Sequence, residues 1–101
     1  MNVRSIRYPA TVEAQNDGRF LVQFVDLPDT FTEGETEEEA LFNASEVLSA
    51  MLAWRLAGAQ DVPAPSPRVK GAFYVAPDAK TQAALRLRLG RGDRGRSALG
   101  S

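Results

Sequence analysis

The sequence contains no cysteine and no histidine, and these two absences remove much of the chemistry that enzymes use. Without cysteine there is no disulfide, no thiolate nucleophile and no zinc–thiolate site. Without histidine the chain also lacks the commonest metal ligand and the usual general base. We therefore predict that this protein is not an enzyme, with no catalytic residue, no cofactor and no metal site.

Long apolar runs are missing as well. No stretch approaches the ~20 residues needed to span a bilayer, and the N-terminus shows no charged segment followed by an apolar signal region. These patterns predict a cytoplasmic protein without membrane contact. The 101 residues, 44% hydrophobic and 25% charged, suit a single compact core.

Charge is distributed unevenly along the chain, although the net charge is only −1. Residues 1–61 hold eleven acids against four arginines, a net charge of −7, whereas residues 62–101 hold eight bases against two acids, a net charge of +6. This asymmetry indicates that the two halves have different partners. The first half favours basic surfaces, and the second favours anionic ones such as nucleic acid.

Residues 6–14 alternate between apolar and polar side chains, which predicts a strand with one buried face. The Asn-Asp-Gly sequence at 16–18 is typical of a hairpin turn, and residues 20–24 continue as a second strand. A short third strand is predicted around residues 30–33. These three strands are expected to form an antiparallel sheet.

The acidic segment that follows predicts a helix from Glu37 to about Ala57. Thr36 and Glu39 have the spacing of a capping box, and the glutamates at 37–39 fall in the first turn, where the helix dipole favours anions. Gly58 is predicted to end the helix with a positive φ. The apolar face expected to lie on the sheet consists of Ala40, Leu41, Ala44, Val47, Leu48, Met51 and Leu52.

Proline occupies every second position from residue 63 to residue 67, which predicts a stiff extended connector. Alternation over residues 69–75 then predicts a fourth strand. Because a long helix precedes this strand, we expect it to lie parallel to the first by a right-handed crossover, in the sheet order 3-2-1-4. Asp78 is the expected N-cap of a second helix, Ala79 to Leu89, ahead of a glycine- and arginine-rich tail.

The predicted fold class is therefore α+β, with the order β-β-β-α-β followed by a C-terminal helix. We expect one domain over residues 1–76. Residues 77–101 form a C-terminal helix and basic tail, which is interpreted as a truncated DNA-binding or oligomerisation element.

Two kinds of chemistry remain open for the charged residues. Asp26, Glu46 and Glu13 are candidates for the metal site of a residual nuclease, although no diagnostic spacing connects them. A basic set near the C-terminus is a candidate for contact with nucleic-acid phosphates: Arg86, Arg88, Arg91, Arg94 and Arg96.

Four segments together resemble the HicB-like antitoxins of bacterial toxin–antitoxin pairs, and the resemblance covers roughly residues 6–67. Each segment alone is weak evidence, but in this order they are fairly specific. They read Y-P-A-T-V-E at 8–13, F-V-D-L-P at 24–28, T-E-G-E-T-E-E-E-A at 32–40 and V-P-A-P-S at 62–66. One departure is Asp29, since the family more often has glycine after Leu-Pro.

The resemblance implies a degenerate ribonuclease-H-like domain that lacks the active site of that fold. It also implies a partner, a small HicA-like toxin that cleaves messenger RNA. Family members carry a C-terminal DNA-binding element that represses their own operon and mediates homodimers or higher assemblies. Here the chain ends before a recognition helix of that kind is complete.

An RNA-cleaving toxin needs a basic surface, and the acidic half of this chain has the opposite potential. We predict the toxin interface at Asp26, Leu27, Pro28, Glu33 and Glu35. Two alternatives stay open: a DNA-binding regulator that acts through the basic C-terminal element without a toxin, and a residual metal-dependent nuclease that depends on Asp26.

Overall fold

The computed structural model describes residues 5–58 and 60–100, with side chains described through residue 90. Its elements, in chain order, are β1 (Tyr8–Ala14), β2 (Phe20–Phe24), β3 (Phe31–Gly34), α1 (Glu37–Ala57), β4 (Phe73–Val75) and α2 (Ala79–Gly100). The α+β class and the order of the elements agree with the sequence-based expectation.

The four strands form one sheet in the order β3-β2-β1-β4, as predicted. The predicted parallel direction of β4 is wrong, because β4 pairs antiparallel with β1, with Val75 opposite Tyr8 and Phe73 opposite Ala10. All three neighbouring pairs in this sheet are therefore antiparallel.

A turn just ahead of β4 explains its direction. Arg68 and Gly71 have φ angles of 53° and 76°, and the Ala72 N–H donates to the Val69 carbonyl at 3.2 Å. The chain thus reverses after the proline-rich connector and enters β4 in the direction opposite to that of a simple crossover. Alternation of side chains over residues 69–75 does not encode this reversal.

The hydrophobic core lies between α1 and one face of the sheet. Tyr8, Ala10, Val22 and Phe24 point inward from the strands, and every second residue of a strand faces the same side. The predicted apolar face of α1 is confirmed, since Ala40, Ala44, Leu48 and Leu52 are fully buried. The core is completed by Leu27, Val75 and, from α2, Leu85.

The start of α1 forms as predicted. The Glu39 N–H donates to Thr36 Oγ1 at 3.0 Å, and Glu39 Oε1 accepts in return from the Glu35 N–H at 2.6 Å. At the other end, Gly58 has a φ of −88°, so the predicted positive φ is wrong. Its N–H donates to the Trp54 carbonyl at 3.0 Å, so Gly58 ends the helix without itself adopting a left-handed conformation.

Helix α2 begins at its predicted cap. The Thr81 N–H donates to Asp78 Oδ1 at 2.8 Å, and hydrogen bonds from the side chain and backbone of Thr81 lower the pKa of Asp78 below its ordinary value. The helix continues to Gly100, beyond the predicted end at Leu89. A helical glycine costs only about 1 kcal/mol relative to alanine, and no proline interrupts this stretch.

Candidate partner-binding surfaces

Exposed carboxylates gather where β3 ends and α1 begins. We call Glu33, Glu35, Glu37 and Glu38 the acidic edge, and all four are exposed. Arg19 lies beside them, with Nε 3.1 Å from Glu33 Oε1 and Nη1 3.8 Å from Glu35 Oε2. One arginine against four carboxylates leaves the edge strongly negative, and surface ion pairs of this kind are weak.

The five predicted interface residues do not come together. Glu33 lies near the start of β2, because Gly34 pairs with Phe20, whereas Asp26 follows the other end of that strand. Leu27 is 1% exposed and belongs to the core, while Pro28 is exposed. The interface itself stays a prediction, since these positions do not reveal what binds there.

Asp26 fixes the proline-rich connector to the end of β2. Its Oδ1 accepts from Ser66 Oγ at 2.6 Å and its Oδ2 accepts from the Ser66 N–H at 2.9 Å. The negative charge of Asp26 also acts on Tyr8, whose hydroxyl donates to the Pro63 carbonyl at 2.7 Å. Sequence reasoning did not find this role, because Asp26 and Ser66 are forty positions apart.

The carboxylates once considered for a nuclease are separate in the structure. Glu13 is exposed on the sheet, and Glu46 is exposed on α1. Across the residues that the structure describes, no three Asp or Glu side chains come together as metal ligands. Within the same residues, neither helix combines the length and the hydropathy needed to cross a membrane.

Part of the sheet face turned away from α1 is exposed, although Pro9 on that face is fully buried. Thr11, Gln23 and Phe31 form one cross-strand row on it, and Glu13, Leu21 and Glu33 form the next. We call these six residues the open sheet face. Phe31 is 56% exposed there, and the face shares Glu33 with the acidic edge. The apolar residues Leu21 and Val25, on the outward side of the second strand, are a sequence signal for a face that is partly covered or lies near a partner.

A groove of about 630 Å³ separates α1 from the first turns of α2. Small side chains of α1 line it, including Ser49, Ala50 and Ala53, and Phe42 lies at its margin. Phe42 is 65% exposed, and Trp54, also on α1, is 61% exposed. Both aromatic residues lie off the buried stripe of the helix.

The arginines predicted to contact nucleic acid do not share one environment. Arg88 donates from Nη1 to the Gln60 carbonyl at 3.2 Å and from Nη2 to the Leu56 carbonyl at 3.5 Å. It therefore interacts with the C-terminal end of α1, where carbonyls favour cations. Arg86 is exposed on α2, and the side chains of Arg91, Arg94 and Arg96 lie outside the described residues.

Comparison with known proteins places this arrangement in a family. The family model of the HicB-like antitoxin of bacterial toxin–antitoxin systems matches residues 7–83. The chain therefore belongs to the HicB-like antitoxin family, as the resemblance of its four sequence segments predicted.

Curated relatives agree with this assignment. Antitoxin HicB 1 of Photorhabdus laumondii is 34% identical over 65 residues, which are 64% of this chain and 42% of that protein. Antitoxin HicB of Escherichia coli K12 is 36% identical over 62 residues, 61% of this chain and 45% of that protein. The chain thus matches somewhat less than half the length of these two relatives.

A solved structure supports the fold. The N-terminal domain of the Burkholderia pseudomallei antitoxin HicB superposes with a TM-score of 0.58 at 21% identity, covering 72% of this chain and 96% of that one. The shared architecture is thus that of a HicB N-terminal domain.

Proposed function

We propose that this chain acts as the antitoxin of a toxin–antitoxin pair, that its partner is a HicA-like toxin that cleaves messenger RNA, and that binding covers the active site of the toxin. The observation that carries this proposal is the acidic edge in a member of the HicB-like family. A protein that holds RNA needs a basic surface. An opposite potential speeds the encounter with such a surface and orients the two partners.

The open sheet face extends the proposed contact. Phe31 offers an exposed aromatic side chain beside the carboxylate of Glu33, and aromatic residues next to charges are common anchors of protein interfaces. Inhibition then needs only steric cover, so no reacting group of this chain takes part. The degenerate ribonuclease-H-like character implied by the resemblance is consistent with a scaffold that presents a surface.

Charge reversal at the edge tests this proposal. The double variant Glu33→Lys, Glu35→Lys is compared with Glu46→Lys, Asp61→Lys, which changes the net charge by the same amount at exposed positions away from the edge. The partner is the small basic product of the adjacent reading frame, and its affinity is measured by calorimetry at low salt. We expect a loss of roughly tenfold or more for the edge variant alone.

Circular dichroism of both double variants establishes that they are folded. Equal affinities for the wild-type chain and the edge variant would remove the acidic edge from the interface. Equal losses in both double variants would mean that net charge, and no particular surface, governs binding.

A second candidate is a DNA-binding regulator, either of its own operon or without a toxin. The observation that favours it is α2, a continuous helix of 22 residues in which Arg86 is exposed. A mobility-shift assay with the DNA upstream of the gene tests it. Deletion of residues 90–101 abolishes binding if this element acts alone, and leaves toxin binding intact if the two functions are separate.

Self-association belongs to the same proposal. Leu87 on α2 is 62% exposed, whereas Leu85, two positions earlier, is buried in the core of its own chain. We propose that α2 contributes Leu87 to a homodimer or higher assembly. Because the proposed toxin partner cleaves messenger RNA, which is translated in the cytoplasm, we place this protein in the cytoplasm.

A further inference from the structure

A second pocket, of about 760 Å³, opens where α2 meets the segment before β1 and the proline-rich connector. Its walls include Ile6, Pro65, Pro67 and the ring of Tyr74, and two arginines line it, Arg7 and Arg86. We call this the arginine pocket. Its volume lies within the range of ordinary small-molecule sites.

Two hydrogen bonds between α2 and the segment before β1 place both arginines at this pocket. Gln82 accepts from the Ile6 N–H at 2.9 Å and donates from Nε2 to the Ile6 carbonyl at 2.5 Å. Arg7 is the next residue after Ile6, and Arg86 follows Gln82 by one helical turn on the same face of α2. Paired hydrogen bonds thus hold the segments that carry the two arginines beside one pocket, although the two residues are far apart in the sequence.

Two positive charges that line one pocket favour an anionic ligand. Among the described side chains, Arg7 and Arg86 form no ion pair, and both ion pairs found there belong to Arg19. Each oxygen of Asp26 accepts one hydrogen bond from Ser66, a residue of the pocket wall. Within the described residues, the guanidinium groups of the pocket are free of carboxylate partners, and arginine binds phosphate in a planar, bidentate manner.

The remaining walls are mostly apolar, apart from Ser5 and Ser66. The Tyr74 hydroxyl accepts from the Val69 N–H at 2.8 Å and donates to the Ser66 carbonyl at 2.8 Å, which fixes its ring. Two prolines of the connector lie beside it, and proline has a fixed φ. A small anion alone would leave these walls uncovered. A phosphate joined to a planar base contacts both the two arginines and these apolar walls, since bases stack on aromatic side chains.

We propose that the arginine pocket binds a nucleotide, with its phosphate between Arg7 and Arg86 and its base against Tyr74 and the connector prolines. The nucleotide is either free or one unit of a single-stranded nucleic acid. This site is separate from the acidic edge, which lies at the other end of β2, and it does not depend on the toxin. It also assigns Arg86 to a pocket, whereas the sequence analysis grouped it with the arginines of the C-terminal tail as a candidate for phosphate contact.

Arginine side-chain resonances test the proposal directly in the full chain without any partner. Adenosine 5′-monophosphate, adenosine and inorganic phosphate are titrated in turn, and the Nε–Hε signals of Arg7 and Arg86 are followed by nuclear magnetic resonance. We expect the monophosphate to shift both signals and to bind more tightly than adenosine or phosphate alone. Arg7→Gln and Arg86→Gln are each expected to weaken binding about tenfold.

Lys80→Gln is the matched control, because it removes one positive charge from the same helix at the groove on the other side. It is expected to leave the affinity unchanged. A short single-stranded RNA distinguishes the sources of the nucleotide. If the RNA binds more tightly than the monophosphate and with a steeper salt dependence, the ligand is a strand; if it does not, the ligand is a free nucleotide.

Three results would overturn the proposal. The first is a monophosphate that shifts neither arginine signal, and the second is an affinity equal to that of adenosine. The third is an acidic peptide that shifts both signals when the monophosphate does not, since the pocket would then recognise protein carboxylates. Thermal melting of each variant shows whether a loss of binding reflects a loss of fold.

Discussion

Tyr8 shows how a single polar atom connects the core to the connector. Its side chain is fully buried, and its hydroxyl donates to the Pro63 carbonyl at 2.7 Å. Burial raises the pKa of the Tyr8 hydroxyl to about 12, with a further contribution from the negative charge of Asp26. A buried phenol that must stay protonated makes the fold sensitive to alkaline pH.

Tyr8→Phe is expected to lower the free energy of unfolding by about 1–3 kcal/mol near neutral pH, because the Pro63 carbonyl loses its donor. The folded-state pKa of Tyr8 lies above the unfolded value of 10.0, so its proton stabilises the fold fully below pH 10. That stabilisation is lost as the pH rises toward about 12. Urea titrations of the wild-type chain and of Tyr8→Phe across this pH range measure the difference between their free energies of unfolding. That difference should shrink only above pH 10.

If the difference in the free energy of unfolding between the wild-type chain and Tyr8→Phe stayed constant from pH 7 to pH 12, the linkage to Tyr8 would be contradicted. Every titratable group other than Tyr8 is common to both chains, so subtracting one titration from the other isolates the tyrosine.

The backbones of β3 and α1 approach each other closely at their junction. A Cβ atom built on Gly34 would lie 2.7 Å from the Ala40 Cα and 2.9 Å from the Glu39 carbonyl carbon. Ala40 is itself fully buried, and both neighbours are backbone atoms that cannot turn aside. Glycine at this position therefore allows the acidic edge to follow directly from the sheet.

Gly34→Ala is expected to destabilise the chain by about 1–3 kcal/mol, as overpacked positions do. Gly90→Ala is the control, since nothing lies within 4 Å of its added Cβ and the residue is helical. That control should stabilise the chain by roughly 0.5–1 kcal/mol. Thermal unfolding of both variants measures the contrast, and equal stabilities would show that β3 moves away from α1 without cost.

The elements that local patterns determine were predictable, and the direction of β4 was not. Thr36 and Asp78 each accept a hydrogen bond from a residue three positions later, so a short window of sequence reveals both helix starts. The β4 direction depends on positive φ at Arg68, a residue for which such a conformation is uncommon. The arginine pocket was also missed, because it depends on Gln82 bonding to Ile6 across 76 positions.

At the scale of the whole molecule, α2 joins the C-terminal region to the rest of the chain. Leu85 is buried in the common core, and Gln82 binds the segment before β1. The division of the chain into two parts between residues 76 and 77 stays a prediction. Separating the two parts would break these contacts of Leu85 and Gln82.

Deletion of residues 77–101 is expected to lower the unfolding temperature by several degrees or more, because it removes Leu85 from the core. Deletion of residues 91–101, which keeps Leu85 and Gln82, is the control and should change the unfolding temperature much less. Calorimetry of the three chains measures both effects. Equal unfolding temperatures for all three would support an independent domain over residues 1–76.

The acidic edge lies near the start of β2, whereas Ser66 of the arginine pocket binds Asp26 just after the end of that strand. We infer that this separation of charge gives the described part of the molecule an electric dipole. Chains with such a dipole attract one another end to end where counterions are scarce, and the attraction fades once the Debye length falls to about 10 Å at 0.1 M salt. We therefore expect the apparent mass from sedimentation to rise as salt is diluted. Glu33→Lys together with Glu35→Lys should abolish that rise.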